Sequence, residues 1–67
     1  MNGDLTPKQL EVLQLLADGL TSEEIAIGLG NSKKTIDSIR RNMLLRLNAP
    51  NIANLVSTAY KRGLLKA

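Results

Sequence analysis

Cysteine and histidine are both absent from this sequence, as are phenylalanine and tryptophan, and the one aromatic residue is Tyr60. Without thiolates or imidazoles there is no disulfide, no zinc finger and no Cys–His or Ser–His nucleophile pair. The acidic residues are spread along the chain rather than paired, so neither a metal centre nor a cofactor site nor an enzyme active site is expected. A lone tyrosine also argues against single-strand binding, which stacks successive bases on aromatic platforms. No apolar run approaches the roughly 20 residues that cross a bilayer, and Met1–Asp4 lacks the cationic and apolar regions of a signal peptide. The expectation is a soluble, cytoplasmic chain with no membrane partner.

Valine and threonine are sparse and no stretch alternates apolar with polar residues, which excludes a sheet. Leucine, alanine, lysine and glutamate predominate, and the chain reads as all-α. At 67 residues it forms one domain at most. A fold of this size hides only about 60% of the surface of its unfolded chain, so its stability rests on well-capped, densely packed helices or on a partner subunit.

The helix boundaries are written in local signals. Thr6, Pro7 and Gln9 form an N-cap, a proline at the first helical position and a capping box, with Leu5 and Leu10 placed as a hydrophobic staple. This predicts a first helix over 7–18, stopped by Gly19. Thr21 and Glu24 form a second capping box, which opens a short helix over 22–29 with Ile25, Ala26 and Leu29 inward; Gly30 and Asn31 end it. Ser32 caps a third helix over 33–47, with Ile36, Ile39, Met43, Leu44 and Leu47 on one stripe and Lys34, Asp37, Ser38, Arg41, Asn42 and Leu45 opposite. A break at 48–51 precedes a fourth helix over 51–62, with Ile52, Leu55, Val56 and Ala59 apolar and Gly63 at its end.

Charge divides the chain. In residues 1–32 Lys8 stands against Asp4, Glu11, Asp18, Glu23 and Glu24, a balance of −4. In residues 33–67 Lys33, Lys34, Arg40, Arg41, Arg46, Lys61, Arg62 and Lys66 stand against Asp37 alone, a balance of +7. The basic half is the candidate surface for a polyanion.

A short helix, a tight glycine-containing turn and a longer helix with cations on its free face form a helix-turn-helix pattern. Taken over its length, LTPKQLEVLQLLADGLTSEEIAIGLGNSKKTIDSIRRNMLLRL with a later GLL resembles the DNA-binding domain of the LuxR, FixJ and GerE class of bacterial transcription regulators. Leu5, Thr6, Glu11, Val12 and Leu13 match its opening Leu-Thr-x-Arg-Glu and Glu-Val-Leu. Gly19, Thr21, Glu24, Ile25 and Ala26 approximate its Gly-x-Ser-Asn-Lys-Glu-Ile-Ala. Ser32, Thr35 and Ile36 match its Ser-x-x-Thr-Val, and Gly63, Leu64 and Leu65 its closing Gly-Leu-Leu. The match runs in register over almost all of residues 1–67, as a single domain.

The resemblance implies a four-helix domain that binds double-stranded DNA with its third helix in the major groove and forms a symmetric homodimer through its fourth. Asp37, Ser38 and Arg41 fall at groove-facing positions, and Arg46 at a basic position in the last turn. Arg41 suits guanine, whose O6 and N7 a guanidinium pairs bidentately. Lys33 and Lys34, beside the N–H groups that open the helix, suit phosphates. Thr35 and Asn42 complete the candidate contact set, and Ile52, Leu55, Val56, Ala59 and Tyr60 form the candidate dimer interface. The chain departs from the family pattern where Asp37 and Glu23 replace lysines, where Lys8-Gln9 replaces Arg-Glu, at Asn31 and Ile52, and at Arg40, where an apolar residue is usual. A domain that keeps the dimer helix but loses basic contacts suggests a second role, binding another LuxR-type regulator in an inactive heterodimer.

Overall fold

A computed structural model describes residues 5–65; the signal-peptide reading of Met1–Asp4 lies outside them. Four helices, α1 (Pro7–Ala17), α2 (Ser22–Leu29), α3 (Lys33–Arg46) and α4 (Ile52–Lys61), account for the regular structure of this stretch. The four expected helices are all present, and where an end moves it moves by one residue. Asp18, Leu47, Asn51 and Arg62 act as caps rather than helical residues.

Both capping boxes form. The Thr6 hydroxyl accepts from the Gln9 amide at 3.1 Å while the Thr6 amide donates to Gln9 Oε1 at 2.9 Å. Thr21 and Glu24 repeat the exchange at 3.1 and 2.8 Å. The Ser32 and Asn51 side chains accept from the Thr35 and Asn54 amides at the starts of α3 and α4. Each cap satisfies a backbone donor that the helix itself leaves unpaired.

The four helices also end alike. A residue with positive φ follows each helix (Gly19 at 97°, Gly30 at 69°, Asn48 at 52°, Gly63 at 74°). The next amide then reaches back to a carbonyl five residues earlier: Leu20 to Leu15, Asn31 to Ala26, Ala49 to Leu44 and Leu64 to Ala59, at 2.8 to 3.1 Å. This is the Schellman closure, which occupies orphan carbonyls and reverses the chain. Three of the four positions are glycine because the left-handed region costs other residues more; asparagine is the usual exception.

The chain reversals bring the inner faces together. Val12, Leu13, Ile25, Ile36, Met43, Leu55 and Ala59 have no exposed surface, and Leu5, Ala26, Leu47 and Leu65 are buried around them. Leu10 packs against the same cluster as Leu5, where a staple would place it. α1 and α3 each touch the other three helices, while α2 and α4 do not touch each other. Among the described residues Ser22 is the only buried polar side chain, and no helix is long and apolar enough to cross a membrane.

Met43 and Leu45 lie on the same helix with opposite fates, one wholly buried and the other 74% exposed. Met43→Ala is expected to cost roughly 2–5 kcal/mol in chemical denaturation through transfer and cavity terms. Leu45→Ala is expected to stay within about 0.5 kcal/mol. Comparable losses at both positions would contradict this orientation of α3.

Candidate nucleic-acid interface

The orientation of α3 determines the surface it shows. With 3.6 residues per turn, Lys34, Ser38, Arg41 and Leu45 fall within about 60° of one another, on the side away from Ile36 and Met43. All four are exposed. Lys34, Ser38 and Arg41 take no side-chain partner among the described residues. Together with Lys33 and Asp37 they line an open groove of about 360 Å³.

At the head of this surface α3 begins with Lys33 and Lys34 and carries no acidic residue in its first turn. The positive end of the helix dipole and the Lys34 ammonium therefore both favour an anion at this end, while Lys33 reaches along the helix to Asp37. Thr35, also exposed, is turned toward the cap, its hydroxyl 2.9 Å from that of Ser32. Asn42 flanks the stripe and Arg46 is exposed in the last turn.

Asp37 and Lys33 have company of their own. Lys33 Nζ donates to Asp37 Oδ2 at 2.8 Å, and Arg40 donates to Asp37 Oδ1 at 3.3 Å. The same Arg40 nitrogen donates to the buried Ser22 Oγ at 2.9 Å, which joins the middle of α3 to the first residue of α2. The Lys33 hydrogen bond, reinforced by the Ser22 hydroxyl, holds the Asp37 carboxyl down at about 2. The same bond raises the Lys33 ammonium above its ordinary value. Neither Ser22 nor Arg40 stands out in the sequence as a structural pair, because 18 residues separate them and a serine at a helix start reads as part of a cap. The signal available was the opposite charge of Asp37 and Arg40 at a three-residue spacing.

Of the five α4 residues expected at a dimer interface, Leu55 and Ala59 are wholly buried within the chain and have no surface to offer a partner. Ile52 and Val56 are half-buried against the core, and Tyr60 is 41% exposed. The outward surface of α4 is thus narrower than its apolar stripe. Ile27, 82% exposed on α2, is a further apolar surface residue with no counterpart among the expected site residues.

Four helices in which α2 and α3 are joined by the turn at residues 30–32 make an all-α helix-turn-helix domain. Residues 4–59 match the model of the bacterial regulatory proteins of the luxR family, and the chain belongs to that family. It is a regulatory domain and not an enzyme. It is 39% identical over 62 residues to the uncharacterized response regulatory protein YgeK of Escherichia coli K12, covering 92% of this chain and 42% of that protein. It is 35% identical over 60 residues to the putative positive transcription regulator of virulence factors BvgA of Bordetella pertussis, covering 90% of this chain and 29% of that one. It is 32% identical over 63 residues to the transcriptional regulatory protein FixJ of Azorhizobium caulinodans, covering 94% and 30%. The chain therefore spans less than half the length of these curated relatives. No solved structure matches it.

The depressed Asp37 carboxyl links stability to pH. In the unfolded chain this group takes up its proton near 3.8, whereas the folded chain keeps it ionised down to about 2. Its contribution is therefore complete above the unfolded value and is lost as pH falls through the folded one. Asp37→Asn is expected to flatten the acid side of the stability profile between roughly pH 5 and pH 2, measured by thermal melts. A profile parallel to that of the unaltered chain would show that the Lys33 and Arg40 contacts do not persist in solution.

Proposed function

We propose that this domain binds double-stranded DNA sequence-specifically and regulates transcription, with α3 laid in the major groove. The observation that carries the reading is the exposed Lys34–Ser38–Arg41 stripe on a helix whose reverse side is anchored by Ile36 and Met43. An α-helix fits the major groove, and each side chain of the stripe has a fitting partner there. Arg41 pairs with guanine O6 and N7, Ser38 bonds a base edge or a phosphate, and Lys34 with the N–H groups of the helix start meets a phosphate. Membership of a bacterial regulatory family, and similarity to BvgA, a putative positive transcription regulator, and to FixJ, a transcriptional regulatory protein, support the same role.

A single small module makes few contacts and binds weakly, so the reading includes a symmetric dimer. Its interface is the outward side of α4, with Ile52, Val56 and Tyr60. Two copies then set their α3 helices in successive major grooves about 34 Å apart, on a site with two-fold symmetry. A surface of three residues per copy is small, which makes the dimer weak in free solution and favoured on DNA.

Selection from a random duplex library is expected to enrich two inverted half-sites about one helical turn apart. No enrichment at low salt, with capture of a LuxR-type domain instead, would replace operator reading by a sequestering heterodimer. Arg41→Ala is expected to cost about 1–3 kcal/mol in binding and to relax one base position in each half-site. Val56→Glu is expected to reduce the complex on a two-half-site duplex from two copies to one in sedimentation. An unaltered stoichiometry would remove α4 as the interface.

A further inference from the structure

Asp37 is the only carboxylate in the basic half of the chain, and it sits one helical turn from both Lys34 and Arg41. A carboxylate at that place has two uses. It can accept from the N4 amino group of a cytosine, or it can work inside the protein.

The geometry favours the second use. Both carboxylate oxygens are engaged, one by Lys33 at 2.8 Å and the other by Arg40 at 3.3 Å. The Arg40 nitrogen that holds Asp37 also holds the buried Ser22 hydroxyl at 2.9 Å. Turning Asp37 into a groove would strip the charge partner from a half-buried guanidinium whose Nε already has no acceptor. The cost of such unpairing rises with burial, so the inner contact is the one to be kept.

We propose, resting on the reading of α3 as the groove helix, that Asp37 serves to cancel the charge of Lys33 and is not a base reader. Through Arg40 and Ser22 it ties α3 to the start of α2, and through its charge it withholds Lys33 from the phosphates. Sequence discrimination is thereby left to Lys34, Ser38 and Arg41. Lys33 contributes as a cation already cancelled by its neighbour, which lowers the electrostatic, sequence-independent share of binding and raises the fraction due to base contacts.

The test is a double-mutant cycle on the duplex that the unaltered chain selects, with a panel of single-base variants of that duplex and a salt titration. Asp37→Asn is expected to tighten binding several-fold by the same factor on matched and mismatched duplexes, with the salt slope steeper by about one. Lys33→Gln is expected to weaken binding more in the Asp37→Asn chain than in the unaltered one. Loss of a cytosine preference at one position in Asp37→Asn would overturn the proposal, as would an equal effect of Lys33→Gln in both chains. Should Asp37→Asn fail to fold, the comparison of Lys34→Gln with Lys33→Gln in the unaltered chain decides. The proposal expects the larger loss of affinity and salt slope from Lys34→Gln, and equal losses contradict it. An unaltered chain that binds every duplex alike would instead defeat the groove reading itself, before any variant is compared.

Discussion

Burial of Ile36 and Met43 along one side of α3, with Leu47 at its cap, sets the rotation of that helix about its own axis, and the rest of the molecule's chemistry follows from that rotation. Each such side chain is worth about 1.5–3 kcal/mol when taken out of water. An exposed ion pair such as Lys33–Asp37 is screened by water and contributes far less. The core therefore decides which side of α3 faces outward, and the charges adjust what that side can do. α1 holds the reverse of α3 and touches every other helix, so it forms the bed on which the exposed stripe is mounted.

The charge division then acquires a spatial meaning. Among the described residues of the first half, Glu11 lies on α1, Asp18 caps its end, and Glu23 and Glu24 favour the positive end of α2. Five cations of the second half, Lys33, Lys34, Arg40, Arg41 and Arg46, lie on α3, with Lys61 and Arg62 at the end of α4. Cationic elements attract a polyanion and acidic ones repel it. The Asp37–Arg40–Ser22 tie joins the two helices of the turn motif where they meet.

The helices were legible in the sequence because their signals are local. A capping threonine with its glutamine or glutamate three residues on, and a glycine after the last turn, each act within one turn of chain. Asn48 takes the same left-handed conformation as the glycines, and the run at 48–51 announced a break without saying which residue would reverse the chain. The exposed stripe of α3 was legible for a similar reason, since periodicity alone separates Lys34, Ser38 and Arg41 from Ile36 and Met43. Periodicity does not reveal whose core an apolar stripe fills. On α4 the same stripe includes Leu55 and Ala59, which the chain uses itself, and Ile52 and Val56, which it half-covers. Arg40 and Asp37 looked like two unrelated departures from the family pattern, and they meet in one contact. That contact, and its extension to Ser22, depends on how α2 and α3 cross, which no short window of sequence contains.

The most direct test of the central claim is a backbone amide NMR titration with the selected duplex. The account predicts that the largest shifts fall along α3 from Lys33 to Asn42, with Val12, Leu13 and the outer side of α2 little changed. Shifts concentrated on α1 or on the acidic face, with the Lys34–Arg41 stripe unmoved, would contradict it.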